Sequence, residues 1–220
     1  MEGEYMTKSY RKKKDVEIRC NEILDAVERI YEKGSFESVT MDEIAKEAEF
    51  TKQTLYAYFK GKEEIMASIY VRAANNINQM IKSKLDEKEL MSGYEKLDLM
   101  RIVFTEVAET KPFYTKMISI YQLKDLSEFK NLGIYDEIVT KNANLTRYMS
   151  DCIEKGIQDG SIDKNTDVQS GVLFLKALIL GAASMAIYNE QYMRQELHLD
   201  PLESLRNIFE FSMKAFKNDA

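Results

Sequence analysis

The sequence predicts an all-α protein, with an N-terminal three-helix helix-turn-helix head and a larger helical body. Three observations carry that prediction. Apolar residues recur three or four apart through most of the chain, and no stretch alternates as a half-buried strand does. Only two Pro and nine Gly punctuate 220 residues, which are otherwise rich in Leu, Ile, Met, Glu and Lys. Between Thr40 and Lys62 the sequence TMDEIAKEAEFTKQTLYAYFKGK reads as two short helices separated by a tight break. Such a pair can place its second helix in a DNA major groove.

The elements follow in order. Residues 1–14 read as a flexible basic arm, with Arg11, Lys12, Lys13 and Lys14 together. A solvated tail fits that composition, and so does an arm that reaches phosphates or a minor groove. The head is expected over 15–62. Asp15 to Lys33 carries the stripe Val16, Cys20, Ile23, Leu24, Val27, Ile30 and Tyr31, and Gly34 sits where a helix commonly stops in a left-handed conformation. Phe36 and Val39 are expected to plug the small core. Thr40 with Glu43 three residues on has the form of a capping box, and Thr51 starts the second short helix in the same way. Ile44, Ala45 and Ala48 on one helix, with Leu55 and Phe59 on the other, give each a face to bury.

The body is expected over 63–220. A helix over 63–85 connects head and body, with Ile65, Ile69, Ala73, Ile77 and Leu85 on one side. A charged loop ends at Gly93. The helical pattern resumes from Tyr94 through Val107, breaks at Lys111-Pro112, and restarts with Pro112 as a first residue. Residues 124–133 are weakly patterned. Tyr135 to Gly156 reads as a long helix, and Gly160-Ser161 closes a turn. Asn165-Thr166-Asp167 starts an apolar helix over 168–188, followed by a polar exit to His198. Pro201 starts the last helix, with apolar residues from Leu202 to Phe216.

From Ile23 to Ile65 the chain resembles the DNA-binding domain of TetR-family transcriptional regulators. The residues that carry the resemblance are Ile23-Leu24-Asp25-Ala26-Val27, Gly34, Phe36, Val39-Thr40, Ile44-Ala45, Ala48, Thr51, Thr54-Leu55-Tyr56, Tyr58-Phe59 and Lys62-Glu63. Two positions depart from the pattern. Glu49 stands in the turn where the family usually has Gly, and Gln53 stands where it often has Gly before Thr-Leu-Tyr. The resemblance implies a homodimer that reads a palindrome in double-stranded DNA, most often as a repressor released by a small apolar or amphipathic effector. A helical ligand-binding or protein-interaction module without sequence-specific DNA binding is the alternative.

The net charge of −6 does not advertise a nucleic-acid binder, but the distribution does not exclude one. Residues 1–62 hold 12 Lys and Arg against 13 Asp and Glu, so most of the acidity lies in the body. Cys20 and Cys152 have no CxxC spacing and read as reduced thiols of a cytoplasmic protein. The N-terminus has no apolar h-region, so no signal peptide is expected. The 168–188 stretch contains Lys176, Gly181 and Ser184 and reads as a buried helix more readily than as a membrane span. The single His is His198, and no nucleophile, phosphate-loop or metal-ligand motif occurs, so neither an enzyme nor a cofactor is expected.

Candidate sites follow from these placements. Thr51, Lys52, Gln53 and Thr54 open the second short helix, the end that meets base edges. Gln pairs with adenine N6 and N7, and Lys reaches guanine or phosphate. Tyr56 and Tyr58 neighbour Leu55 and Phe59, so they are expected to face away from the core. The resemblance implies DNA-backbone contacts for Tyr56, Tyr58, Thr40 and Lys62. In the body, Met100, Phe104, Tyr114, Met117, Tyr121, Tyr148, Met149, Cys152 and Phe174 fit either core packing or an adaptable effector pocket. Dimerisation is expected through 168–188 and 202–217, where Gly181, Ala182, Ala183 and Ala186 would allow close helix approach.

Overall fold

A computed structural model of the chain describes residues 8–34, 38–86, 91–122 and 124–218. Phe36 and residues 1–7 of the expected arm lie outside them. Ten α-helices account for most of the described residues, with one 3-10 turn at Leu126–Phe129. They are α1 (Lys8–Glu32), α2 (Met41–Glu47), α3 (Lys52–Tyr58), α4 (Lys62–Asp86), α5 (Gly93–Thr110), α6 (Pro112–Gln122), α7 (Tyr135–Asp159), α8 (Val168–Tyr188), α9 (Glu190–Gln195) and α10 (Pro201–Met213). No strand occurs among the described residues; a single antiparallel bridge joins Ile162 and Lys217. The chain divides into two compact units, residues 1–69 and 70–220, with the division inside α4.

In the first unit, α1 packs against both α2 and α3. Its core is Ile23, Leu24, Ala26, Val27, Ile30, Val39, Ile44, Ala45, Leu55 and Phe59, all buried. Two expectations need correction. The basic run Arg11 to Lys14 is not a flexible arm, because α1 already begins at Lys8. Lys and Arg are good helix formers, and no Pro or Gly interrupts residues 8–33. Val16 does not join the core and is 42% exposed. Helices α2 and α3 have seven residues each, about 10 Å of length, and cover only the second half of α1.

Glu47 ties the head together from outside. It accepts from Arg29 Nε at 3.0 Å and from Lys33 Nζ at 2.7 Å, so both α1 cations hold one α2 carboxylate. Hydrogen bonds from Lys33 and then Arg29 keep that carboxyl below its usual range.

In the second unit, α5 and α7 run antiparallel in close contact. Gly93 N donates to Asp159 Oδ2 at 2.8 Å, and Lys155 Nζ donates to the Met91 carbonyl at 2.6 Å. The approach is backbone to backbone: a Cβ on Gly93 would lie 2.0 Å from Gly156 N. Helix α8 packs on α6, α7 and α10. The weakly patterned stretch is anchored by Phe129, which is fully buried. Burial of such a side chain contributes about 1.5–3 kcal/mol, enough to order a short 3-10 turn capped by Asp125. Helix α7 continues past Gly156 to Asp159 and stops at Gly160 with φ 77°. The polar exit after α8 contains a further short helix, α9, which periodicity over six residues did not disclose.

Candidate nucleic-acid interface

The α2–turn–α3 unit is built from local chemistry. Thr40 caps α2: its hydroxyl accepts from Glu43 N at 3.3 Å, while Glu43 Oε2 accepts from Thr40 N at 2.7 Å and from Thr40 Oγ1 at 2.9 Å. The Thr40 backbone bond, then its hydroxyl, lowers the Glu43 carboxyl below its usual range. Thr51 caps α3 by accepting from Thr54 N at 3.1 Å. The two hydroxyls also lie 2.8 Å apart, so Thr51 and Thr54 act as a pair.

Glu49 has a structural role that its residue type conceals. Phe50 N donates to the Ala45 carbonyl at 2.8 Å, and Glu49 N donates to the Lys46 carbonyl at 3.2 Å. That pairing closes α2 as a Schellman motif and requires a left-handed residue at position 49. Glu49 supplies it with φ 58°. A Cβ-bearing residue there costs about 1–2 kcal/mol. Glycine relieves that cost but loses about 0.5–1 kcal/mol to backbone entropy. Glu49→Gly is therefore expected to raise head stability by about 0.5–1 kcal/mol, read as a higher thermal midpoint by circular dichroism. A lower midpoint would contradict this account of the turn.

At the start of α3, Lys52 and Gln53 are exposed. Lys52 Nζ donates to Asp42 Oδ2 at 2.8 Å, and this bond raises the ammonium above its usual range. The carboxylate competes with phosphates and base edges for Lys52. Asp42→Asn is expected to strengthen binding to a non-operator duplex and to steepen its salt dependence by about one unit of log–log slope. Fluorescence anisotropy across a salt series measures both, and an unchanged slope would show that Lys52 does not approach the phosphates.

Tyr56 is 48% exposed. Tyr58 is half-buried, so its expected outward orientation holds only in part. Phe59 and Leu55 fill the core beside it, and the α3 axis leaves Tyr58 at the edge of the packed face. Lys62 is half-buried at the first position of α4, where its charge favours the ionised form of Glu43. Thr40 is exposed with its hydroxyl committed to its own cap.

The body holds the other candidate residues in several environments. Met100, Phe104 and Met149 line a small cavity of about 20 Å³, and Phe104 also lines a second of about 20 Å³, each with room for about one water. Tyr148 borders a wider, more polar groove of about 440 Å³ with Arg147 and Lys82, and burial pushes its hydroxyl pKa up. Tyr121 stacks between Tyr70 and Phe129, with ring centroids 5.5 and 5.4 Å away. Tyr114 is buried under Lys111, and Met117 is core. Cys152 is buried, which raises its thiol to about 11, so it is an inert core thiol. Phe174 is a correction: it is 42% exposed on the outer side of α8 and tilts against Phe216 at 5.9 Å. Helix α8 is apolar nearly all round, so periodicity did not tell its inner face from its outer one.

The reading from sequence missed Tyr70, Asn78, Gln122, Lys141 and Asn142, the polar lining of the second of these small cavities. Their types are ordinary for helix surfaces, and only packing brings them together. The small residues of α8 also divide: Ala182 and Ala183 are buried within the protomer, whereas Gly181 is exposed with open space beside it. Phe216 turns inward, with its ring 3.1 Å from the position of a Cβ on Gly171. Leu173, Met185, Tyr188 and Phe211 remain outside, the last at 75% exposure. Helix α8 is long and apolar enough to cross a membrane by composition alone. Among the described residues no cluster of His, Cys, Asp and Glu has the makings of a metal site.

Residues 23–69 match the family described as bacterial regulatory proteins, tetR family. The HTH-type transcriptional regulator YhgD of Bacillus subtilis is 26% identical over 157 residues, covering 71% of this chain and 78% of that protein. The HTH-type transcriptional repressor KstR of Mycolicibacterium smegmatis is 30% identical over 103 residues, covering 46% of this chain and 48% of that protein. The solved transcriptional regulator FadR of Bacillus subtilis, in complex with stearoyl-CoA, superposes with a TM-score of 0.61 at 22% identity, covering 89% and 98% of the two chains.

Proposed function

This chain is a TetR-family DNA-binding transcriptional regulator, and from that premise we propose that it is a cytoplasmic repressor released from a palindromic operator by a small apolar or amphipathic effector. The observation that carries the proposal is the capped α2–turn–α3 unit with Lys52 and Gln53 exposed at the start of α3. In this reading Lys52, Gln53 and Thr54 read base edges, with Thr51 holding the Thr54 hydroxyl in place. Thr40, Tyr56, Tyr58 and Lys62 position the head on phosphates.

Two heads are needed to read a palindrome, and the exposed Leu173, Met185, Tyr188 and Phe211 of α8 and α10 are the surface we assign to a two-fold dimer. The body holds the effector site. The stearoyl-CoA held by the FadR relative supports an apolar or amphipathic ligand. The effector acts by favouring one body conformation, which helix α4 passes on as a change in head spacing. Couplings of this kind amount to about 1–3 kcal/mol.

The test is a titration of the full chain against fragments of its own promoter region, read by gel shift at low salt with excess competitor DNA. A discrete complex on one fragment, competed only by that fragment, is expected. Uniform binding to every fragment would remove the regulator reading of the interface in favour of a helical ligand-binding or interaction module.

A further inference from the structure

The first half of α1 stands clear of the head. Residues 10–19 are all exposed, and the buried face of the helix begins at Ile23. This part also precedes residues 23–69, the stretch shared with the family.

Its charge is unlike that of the rest of the head. Arg11, Lys12, Lys13 and Lys14 are consecutive, whereas residues 15–62 hold seven Lys and Arg against 11 Asp and Glu, a net −4. Ion pairs occupy four of those seven: Arg19 with Glu22, Arg29 and Lys33 with Glu47, and Lys52 with Asp42. The packed part of the head is therefore a poor source of positive potential for a polyanion. Helix stability does not account for the basic run. The first turn of α1 has no acid, and cations near a helix N-terminus oppose the helix dipole.

Geometry places the run beside the base-reading helix. The Arg19 guanidinium carbon lies 5.3 Å from the centroid of the Phe50 ring, and Phe50 immediately precedes Thr51, the cap of α3. Lys12 is seven residues closer to the N-terminus, so it returns to the Arg19 side of the helix two turns and about 10 Å farther out. Arg11 lies within about a quarter turn of that line, and Lys13 and Lys14 lie beyond it. Asp15 and Glu17 follow at helical spacing, but exposed pairs of that kind are weak and screened by salt.

We propose that the first turns of α1 are a second DNA contact, a basic helix laid on the phosphates that flank each half-site, outside the bases read by α3. This rests on the DNA-binding reading above and deepens it. The contact supplies affinity and not sequence choice, because phosphates carry no base identity. A helix already formed loses less entropy on binding than a flexible arm does. Each phosphate neutralised adds about 0.9 to the log–log salt slope, which is about eightfold in affinity at 0.1 M salt relative to 1 M. Arg11 and Lys12 make about two such contacts per head, and a dimer on a palindrome makes about four.

The experiment is fluorescence anisotropy of the full-length protein on labelled duplexes across a salt series. The parent is compared with a variant that combines Arg11→Gln, Lys12→Gln, Lys13→Gln and Lys14→Gln, in which Gln keeps the helix propensity of the residues it replaces. The variant is expected to show a slope shallower by about two to four units and an affinity roughly 100-fold lower at 0.1 M salt. Operator and non-operator duplexes should lose alike, with their ratio kept within about threefold. Circular dichroism should show unchanged helix content and a thermal midpoint no lower than the parent's, since the removed cations opposed the dipole. The parent should also bind a duplex cut at the outermost base pair it reads about tenfold or more weakly than one with about six further base pairs, about 20 Å, on each side. The variant should bind the two lengths equally.

A parental slope in the variant, or a parent indifferent to duplex length, would overturn the proposal and leave the regulator reading standing. A fall of about tenfold or more in the operator to non-operator ratio would overturn it as well, because the run would then be reading bases. Uniform binding of the parent to every duplex, lost in the variant with the expected change of slope, would support the contact and overturn the regulator reading. Binding to no duplex would overturn both.

Discussion

Gly93→Ala is expected to destabilise the body by about 3 kcal/mol or more. The new methyl would lie 2.0 Å from Gly156 N, 2.4 Å from the Cys152 carbonyl oxygen and 2.4 Å from Gly156 Cα. All three are backbone atoms, so no rotamer change relieves the clash. Helix α5 would have to move off α7, and the Gly93–Asp159 and Tyr94–Ser161 hydrogen bonds that fasten its start would go with it. Urea unfolding followed by circular dichroism gives the value. Gly61→Ala is the control, because nothing lies within 4 Å of a Cβ there, and it is expected to stay within about 0.5 kcal/mol of the parent. If both variants unfold at the same urea concentration, the close approach of α5 and α7 does not exist in solution.

Phe211→Glu is expected to weaken operator binding by about 100-fold or more while leaving helical content unchanged. Phe211 is 75% exposed on α10, so its replacement leaves the protomer core intact. In the proposed dimer the same position is covered, and a carboxylate there would be buried without a partner. A separated protomer engages one half-site only and loses the high effective concentration of its second head. Sedimentation equilibrium should show monomers at concentrations where the parent protein is dimeric. A dimeric Phe211→Glu variant with parental operator affinity would exclude α10 from the interface. Gly181 offers an independent probe of the same surface, since its Cβ direction is open in the protomer.

Much of the head was legible in advance because its signals are local. Thr40 with Glu43, Thr51 with Thr54 and Gly34 at φ 78° act within three or four residues of one another, where the chain is short enough for type and spacing to dictate geometry. Pro112, Asp167 and Pro201 mark helix starts in the body for the same reason. Glu49 was not legible. Its left-handed conformation follows from two backbone hydrogen bonds that any residue can make, and Glu carries no sign of it. The Asp42–Lys52 pair depends on the angle at which α3 leaves that turn.

The sequence by itself determined an all-helical chain, the position of a helix-turn-helix near its start, and most of the places where helices begin and end. Those properties rest on periodicity and capping, which operate within a turn or two of backbone. Tertiary structure alone decided which side of α8 faces inward, that Phe174 points out and Phe216 points in, and that Gly93 meets Gly156. It also decided that Phe104 lines two small cavities and that Lys141 lines one of them. The physical reason is range: these features arise where helices distant in sequence approach one another, and approach is set by the packing of the whole body.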